Sequence, residues 1–363
     1  MALLVLGQAI MFARSRVTPE SMIASAGTSG RRSCSRPQLQ LFRGTGVLGG
    51  LVRPRGIIVA TSTARLVVIL TALLATSLAS AAERTYDRSF NAPPGGRLTL
   101  DTDVGSVAVA GGDAAQVVVH VEMEDSEAFL ARFHVSAEQT PAGVTISARG
   151  GNHGWLGWFG WFDFNSSRVR FTVKVPRGYP VDLRTSGGGL DVKDLTAPVR
   201  ARTSGGSIVL RDVAGRVDAH TSGGGIEAQR IRGAAQLSTS GGSIEVGDST
   251  GDLELRTAGG GIRIRNADGR VYGHTSGGSI RAQLRANQGV DLATSGGSIT
   301  LLLPQGTGAS IDAATSGGRV RSDLSLSTTR VFDSDHLVGD IGAGGALISL
   351  HTSGGSIHIE PVD

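Results

Sequence analysis

The chain of 363 residues has very little cysteine, lysine or aromatic character. Its single cysteine, Cys34, lies in an N-terminal stretch that we do not expect in the mature protein. The sequence therefore excludes a disulfide, a thiolate nucleophile and a cysteine metal site there. Aromatic residues make up 4% of the chain, and the mature part has lysine only at Lys174 and Lys193. Its stability must come from backbone pairing and side-chain packing.

The basic charge of the chain belongs to its N-terminus. The whole sequence has a formal charge of +4 and a pI near 9.8. Residues 1–82 hold nine arginines and one acid, Glu20, so the rest holds 26 basic and 30 acidic residues, a charge of −4. A basic pI would favour nucleic acid as a partner. This distribution of charge excludes nucleic acid as a partner of the mature chain.

Residues 65–82 have the features of a secretory signal peptide. An arginine precedes the apolar stretch 66–79, and small residues follow it, which predicts cleavage after Ala81 or Ala82. The stretch is short for a membrane span, which needs about 20 residues, and an uncleaved anchor is the alternative. Residues 1–64 are then an over-extended or disordered leader. We predict export to the periplasm, the cell envelope or the medium.

An eighteen-residue repeat fills the second half of the chain. The motif Thr-Ser-Gly-Gly-x-apolar recurs five times at intervals of 18 residues and then at intervals of 19, 21 and 37. The last interval predicts a degenerate tenth copy at Asp333. The clear copies begin at Thr185, Thr203, Thr221, Thr239, Thr257, Thr275, Thr294, Thr315 and Thr352, and their glycine pairs include Gly205, Gly206, Gly223, Gly224, Gly241 and Gly242.

Each repeat predicts two short β-strands. Apolar residues alternate with polar ones after the glycines, as at Ile208 and Leu210, and again before the next threonine. This period of two is strand geometry, and glycine pairs suit tight corners because they accept positive φ. We predict an all-β fold, a β-solenoid of about ten 18-residue two-strand coils over residues 184–361 with the threonines stacked inside. Right-handed crossovers are the rule, so we predict a right-handed solenoid.

Residues 83–183 predict strands of unequal length, an irregular β cap at the N-terminal end of the solenoid. Residues 102–107 look like a worn first copy of the repeat. The segments Arg97–Val109 (RLTLDTDVGSVAV) and Val169–Thr185 (VRFTVKVPRGYPVDLRT), with the serial TSGG-x-I copies, resemble the bacterial putative-adhesin family, domain of unknown function 4097. The resemblance covers nearly all of residues 90–360. It implies an exported or envelope-associated β-solenoid and no established chemistry.

An aromatic cluster is the first candidate contact site. It lies among glycines, which predict a loop or hairpin tip. An exposed cluster would contact sugar, a membrane or a partner protein, and the alternative is a cover for the end of the solenoid core. The cluster consists of Trp155, Trp158, Trp161, Phe159 and Phe162.

A partly basic stripe is the second candidate. The residue before each repeat threonine points outward and is often basic, as at Arg184, Arg202 and Arg256, and the position two residues earlier is often acidic. Ion pairing between neighbouring coils is the simpler interpretation. A linear groove for an anionic glycan is the functional one.

The sequence predicts neither an enzyme nor a cofactor, because it has no catalytic triad, nucleotide loop or paired-carboxylate motif. One oxygen-rich cluster could hold a divalent cation, but its spacing matches no known calcium loop, and a solvated turn is the simpler interpretation. This cluster consists of Asp333, Asp335, His336 and Asp340.

Together these features predict an exported binding or structural module of the cell envelope, a putative adhesin that contacts surface glycans or envelope proteins. The alternatives are a β-helix enzyme that processes glycans and an envelope scaffold or stress-related protein. Membrane contact would occur through the Trp155–Trp161 loop or an uncleaved signal. We expect the last coil to be an open end, which would permit end-to-end self-association.

Overall fold

A computed structural model describes residues 82–150 and 168–362, which belong to one unit of the chain. These residues form β-strands and one four-residue helix, and no helix among them is long and apolar enough to cross a membrane. The strands pair into two 14-stranded sheets. Sheet 1 contains the strands that follow the TSGG corners, and sheet 2 contains the strands that precede them.

The N-terminal region extends both sheets and contains the first coil. Its elements are β1 (Ala82–Asn91), β2 (Arg97–Thr102), β3 (Ser106–Gly112), β4 (Gln116–Asp125), α1 (Glu127–Leu130), β5 (Phe133–Thr140), β6 (Gly143–Gly150) and β7 (Arg168–Pro176). Strands β2 and β3 form a coil, because Thr102 pairs in register with Thr185 and Val107 with Leu190. The worn first copy of the repeat is thus confirmed. Antiparallel pairs β1–β4, β4–β7 and β5–β6 lie outside this coil.

Seven consecutive coils follow, with strands that alternate between sheet 2 and sheet 1. They are β8 (Val181–Thr185), β9 (Leu190–Leu195), β10 (Val199–Thr203), β11 (Ile208–Ala214), β12 (Val217–Thr221), β13 (Ile226–Arg232), β14 (Ala235–Thr239), β15 (Ile244–Val246), β16 (Ser249–Thr250), β17 (Leu253–Thr257), β18 (Ile262–Asp268), β19 (Val271–Thr275), β20 (Ile280–Leu284), β21 (Val290–Thr294) and β22 (Ile299–Leu303). Each strand pairs in parallel with the same segment of the next coil, so Val199 lies beside Val217. Alternate side chains enter one continuous aliphatic core. The predicted all-β solenoid is confirmed.

The last coils do not stack in sequence order. Their strands are β23 (Ala309–Thr315), β24 (Val320–Ser322), β25 (Leu326–Phe332), β26 (His336–Ile341), β27 (Leu347–Thr352) and β28 (Ile357–Pro361). Strand β27 lies between β21 and β23, and β28 lies between β22 and β24. The coil that comes last in the sequence is therefore inserted between two earlier coils.

Two predictions about this end were wrong. Asp333 does not begin a stacked coil, because β25 and β26 form an antiparallel hairpin whose turn contains Asp333. The last coil is not an open end either, since His358 pairs with Thr300 on one side and Arg321 on the other. A hairpin can occupy the length of a repeat without adding a coil, which the spacing of motifs does not reveal. End-to-end association, which stays a prediction, would therefore involve the Thr315 coil, because β24 is the terminal strand of sheet 1 at this end.

The repeat threonines form a buried ladder that bonds to glycine backbone. Thr221 Oγ1 donates to the carbonyl oxygen of Gly206 in the preceding coil (2.8 Å) and accepts from the N–H of Gly224 in its own coil (3.3 Å). The same two bonds recur in the other eight TSGG or TAGG coils. Each hydroxyl thereby satisfies two backbone groups at a buried corner.

The corner glycines are required by lack of space and not by backbone conformation. None of the TSGG or TAGG glycines has a positive φ, so the reason predicted for them was wrong. A Cβ atom at Gly224 would lie 2.1 Å from the carbonyl oxygen of Gly206 on the adjacent coil. A Cβ atom at Gly223 would lie 3.4 Å from the nearest atom, the carbonyl oxygen of Gly205. The coils can therefore stack closely only where the second glycine has no side chain.

This difference predicts opposite tolerance at adjacent glycines. We expect Gly224→Ala to lower the free energy of unfolding by about 3 kcal/mol or more, because the backbone of the adjacent coil must move. The matched variant Gly223→Ala should change it by less than about 1 kcal/mol. Urea unfolding of both variants provides the measurement, and equal losses would contradict the steric explanation.

A histidine–carboxylate cluster joins β1 to β4. His120 Nδ1 lies 2.6 Å from Asp87 Oδ1, and His120 Nε2 lies 3.3 Å from Glu122 Oε1. The hydrogen bond with Asp87, followed by that with Glu122, raises the pKa of His120 above its ordinary value. Because the folded-state pKa is raised, the stabilisation is complete below the unfolded-state pKa of about 6.5 and is lost as pH rises through the folded-state pKa.

The stability contribution of His120 should therefore fall with rising pH. We expect the difference in Tm between the wild type and His120→Gln to be largest near about pH 6 and to shrink towards about pH 8.5. Thermal unfolding of both proteins across this range measures it. A difference that stays constant with pH would show that the imidazolium makes no contribution.

Candidate functional site

The outward face of sheet 2 carries two adjoining columns of polar residues, which we call the sheet 2 ladder. In-register parallel strands repeat each position about every 4.8 Å. One column contains Arg184, Arg202, His220, Ser238, Arg256 and His274, and the other contains Asp182, Arg200, Asp218, Gln236, Glu254 and Tyr272.

Ion pairs connect the ladder along its length. Asp218 Oδ2 lies 3.2 Å from both Arg200 Nε and Arg202 Nη2, so one carboxylate holds two guanidinium groups. Arg184 Nε lies 3.4 Å from Asp182 Oδ1, and Arg256 pairs with Glu254. The three arginines predicted from the sequence thus each contact a carboxylate. Only Arg202 pairs with a neighbouring coil, whereas Arg184 and Arg256 pair within their own strands, so the predicted pairing between coils accounts for one of the three.

These ion pairs leave binding groups free towards solvent. The side chains of Arg184, Arg202 and Arg256 are 52%, 43% and 51% exposed. Each guanidinium has five N–H donors, and its contacts with one carboxylate occupy only part of them. The ladder therefore offers donors and acceptors side by side, a combination that suits a ligand with many hydroxyl groups.

Two shallow depressions adjoin in the middle of the ladder. The first, of about 360 Å³, is lined by Arg216, Ala234, Ala235, Gln236, Asp252, Leu253, Glu254, Arg256, Arg270 and Tyr272. The second, of about 480 Å³, is lined by Arg202, Asp218, His220, Gln236, Leu237, Ser238, Glu254 and Arg256. Ala234 lies between Arg216 and Asp252 of the neighbouring coils, and Ser238 lies between His220 and Arg256, so both short side chains have longer neighbours.

Tyr272 provides an aromatic wall for the first depression. The guanidinium carbon of Arg256 lies 4.9 Å from the centroid of the Tyr272 ring, a cation–π contact. Tyr272 occupies the stripe that is often acidic in the sequence, whereas Arg216 and Arg270, which complete this depression, lie outside both predicted stripes. The available signal was the glycine at the second corner: Arg216 and Arg270 directly follow Gly215 and Gly269.

The aromatic cluster, Trp155, Trp158, Trp161, Phe159 and Phe162, lies outside the described residues. The described residues on either side are Gly150, which ends β6, and Arg168, which begins β7. Strand β6 pairs with β2, and β7 pairs with β3.

Two of the four residues considered for a cation, Asp340 and His336, contact different partners. Asp340 Oδ1 accepts a hydrogen bond from Ser310 Oγ (2.7 Å), and Asp340 Oδ2 lies 3.3 Å from Arg330 Nη2. His336 Nε2 lies 3.4 Å from Asp312 Oδ1. Within residues 82–150 and 168–362, no group of three or more His, Asp or Glu residues is arranged to hold a metal ion.

The family model Toastrack DUF4097 matches residues 96–360. The chain belongs to this family. The match confirms the resemblance carried by Arg97–Val109, Val169–Thr185 and the TSGG copies, and it agrees with the β-solenoid described above.

Solved structures with a similar chain path include proteins from Parabacteroides and Bacteroides. A putative adhesin from Parabacteroides merdae is 10% identical, with 77% of this chain and 96% of that chain covered and a TM-score of 0.40. A putative lipid binding protein from Parabacteroides distasonis is 15% identical, with 77% and 97% covered and a TM-score of 0.38. A putative adhesin from Bacteroides fragilis is 10% identical, with 78% and 99% covered and a TM-score of 0.30. Likenesses this distant carry no argument about function, and comparison with curated proteins gives no match.

Single ladder arginines should matter little for folding. We expect Arg202→Ala to lower the free energy of unfolding by about 1 kcal/mol or less, because the pair with Asp218 is exposed to solvent and to salt. Urea unfolding at low and high NaCl measures both the loss and its screening. A loss above about 2 kcal/mol would contradict this expectation, because losses of that size are typical of buried ion pairs.

Proposed function

We propose that the protein is an exported, adhesin-like binding module of the cell envelope that contacts surface glycans through the sheet 2 ladder. The observation that carries this proposal is the pair of adjoining depressions, which are lined by guanidinium, carboxylate and amide groups and, in the first depression, by Tyr272. Sugar hydroxyls both donate and accept hydrogen bonds, and sugar rings pack on aromatic faces. The groups present on this face match both needs.

The repeated coils support contact with a polymer. Parallel pairing fixes the same outward positions at regular intervals on a rigid support. Several weak contacts to one chain then act together, because each contact made raises the effective concentration of the next. A long glycan gains from this arrangement, whereas a single sugar does not.

The carboxylates of the ladder favour a hydroxyl-rich glycan over a densely charged one. Asp182 and Asp218, with side chains 17% and 27% exposed, stand between the arginines along the ladder. A polyanion would approach these carboxylates as closely as the guanidinium groups. We therefore refine the anionic groove predicted from the sequence to a site for neutral or weakly acidic glycans.

A glycan array with the mature chain from Glu83 onwards tests the proposal. We expect the combined variant Arg184→Ala, Arg202→Ala, Arg256→Ala to weaken glycan binding about tenfold or more, because charge-assisted hydrogen bonds are lost. Wild-type binding of a weakly acidic glycan should weaken as NaCl rises, whereas binding of a neutral glycan should change little. Bound glycan should be recovered uncleaved; cleavage would favour the alternative of a glycan-processing enzyme.

The matched control removes three ion-paired arginines from the other side of the coils. It carries Arg211→Ala, Arg230→Ala and Arg285→Ala, whose partners are Asp191, Asp212 and Asp248. The control changes net charge by the same amount and should keep glycan binding. Equal losses in both variants, or no loss in the ladder variant, would overturn the proposal.

Export and the role of the aromatic cluster are tested by separate experiments. N-terminal sequencing of the native protein should find a start near Glu83, and a mature protein that retains the first 60 residues would contradict export by the predicted signal. We propose the Trp155–Trp161 segment as a second contact on the sequence evidence. Substitution of its three tryptophans by alanine should weaken attachment to whole cells while ladder-dependent glycan binding remains.

A further inference from the structure

Two arginines on the outer face of sheet 1 lie directly opposite each other. Arg263 on β18 pairs in register with Arg281 on β20. Directly opposed side chains on neighbouring strands have Cβ atoms about 5 Å apart, and like charges at such positions destabilise a sheet. The position of this pair therefore needs a counterion to be favourable.

Among residues 82–150 and 168–362, this pair has no carboxylate closer than 4.0 Å. Two other arginines on this side of the coils do have close carboxylates: Arg211 lies 3.3 Å from Asp191, and Arg285 lies 3.5 Å from Asp248. Arg281 lies 4.0 Å from Glu360, its one ion-pair partner in the described part of the chain.

Arg263 has no ion-pair partner among the described residues. Glu245 lies opposite Arg263 on the other neighbouring strand, β15, but its Oε1 atom pairs with Arg265. Positive charge at Arg263 and Arg281 therefore remains largely uncompensated.

A depression lies between these arginines. It measures about 300 Å³ and is lined by Arg263, Ile264, Arg265, Arg281 and Gln283. We call it the Arg263 depression. Its lining includes three guanidinium groups and an amide but no carboxylate, in contrast to the depressions of the sheet 2 ladder. A site of this composition favours a ligand that only accepts hydrogen bonds and carries negative charge.

We propose that the Arg263 depression binds a phosphate group. A planar guanidinium donates two parallel N–H bonds to two oxygens of a phosphate, and two opposed arginines can hold it from both sides. The bound anion also removes the repulsion between Arg263 and Arg281. This site lies on the other sheet from the proposed glycan contact and does not depend on it.

The proposal predicts opposite effects on stability and on binding. In phosphate-free buffer of low ionic strength, Arg263→Ala should unfold at a higher Tm than the wild type, because a like-charge pair is removed. Inorganic phosphate should raise the Tm of the wild type, since a ligand that binds only the folded state stabilises it. It should not raise the Tm of Arg263→Ala or Arg281→Ala. Calorimetric titration with inorganic phosphate should show affinity reduced about tenfold or more in both variants.

Three controls separate binding from other effects. Sodium chloride at matched ionic strength reports screening alone and should give a smaller rise in wild-type Tm. Arg211→Ala, on the same face but ion-paired, should respond to phosphate like the wild type. Arg263→Lys keeps the charge but lacks the planar fork, so its affinity should fall between those of the wild type and Arg263→Ala.

Either of two results would overturn the proposal: an equal phosphate response in the wild type and Arg263→Ala, or a chloride response as large as the phosphate response. Vesicles containing phosphatidylglycerol identify the source of the phosphate. If the wild type sediments with these vesicles and Arg263→Ala does not, the phosphate belongs to a lipid headgroup. Absence of sedimentation, together with an Arg263-dependent response to inorganic phosphate, assigns a soluble phosphate. Glycan binding by the sheet 2 ladder should persist in Arg263→Ala, so the two proposals fail independently.

Discussion

The close contact at each TSGG corner is the constraint on which the stack of coils depends. The second glycine of one coil lies against a backbone carbonyl of the preceding coil, and the threonine hydroxyl donates to that same carbonyl. Threonine and glycine thus act as a unit: the glycine permits the approach, and the hydroxyl supplies the hydrogen bond that the buried carbonyl requires. Because strand pairing on both sheets starts from this corner, the register of every coil follows from it.

The repeat could be read from the sequence because its corner and its core are both periodic. The inward phase of Thr203 and the apolar residues around it follows from period-two alternation alone. The stacking order of the last coils cannot be predicted from the repeat pattern, because their TSGG corners are equivalent. Thr352 bonds to Gly297, and Thr315 bonds to Gly355, so either order would satisfy the same groups.

The candidate sites were only partly accessible from the sequence for a different reason. Arg202 and Arg256 could be placed on an outward face, but the choice of carboxylate partner depends on how long side chains lie across neighbouring coils. Short side chains such as Ala234 also line the depressions, and a residue without a reactive or charged group gives no sign of a site in the sequence. The opposition of Arg263 and Arg281 was present in the spacing of 18 residues and became meaningful only when the acids around them were assigned to other partners.

Strands β27 and β28 lie between strands that precede them in the sequence, and this order affects how the solenoid can fold during synthesis. A ribosome delivers the outermost coil, with Thr315, before the coil that must lie beneath it. If the coils stacked in the order of synthesis, the Thr315 coil would lie directly on the Thr294 coil. It would then occupy the position that the Thr352 coil has in the structure. The native position of the Thr315 coil therefore depends on the Thr352 coil, which supplies the strands on which it stacks.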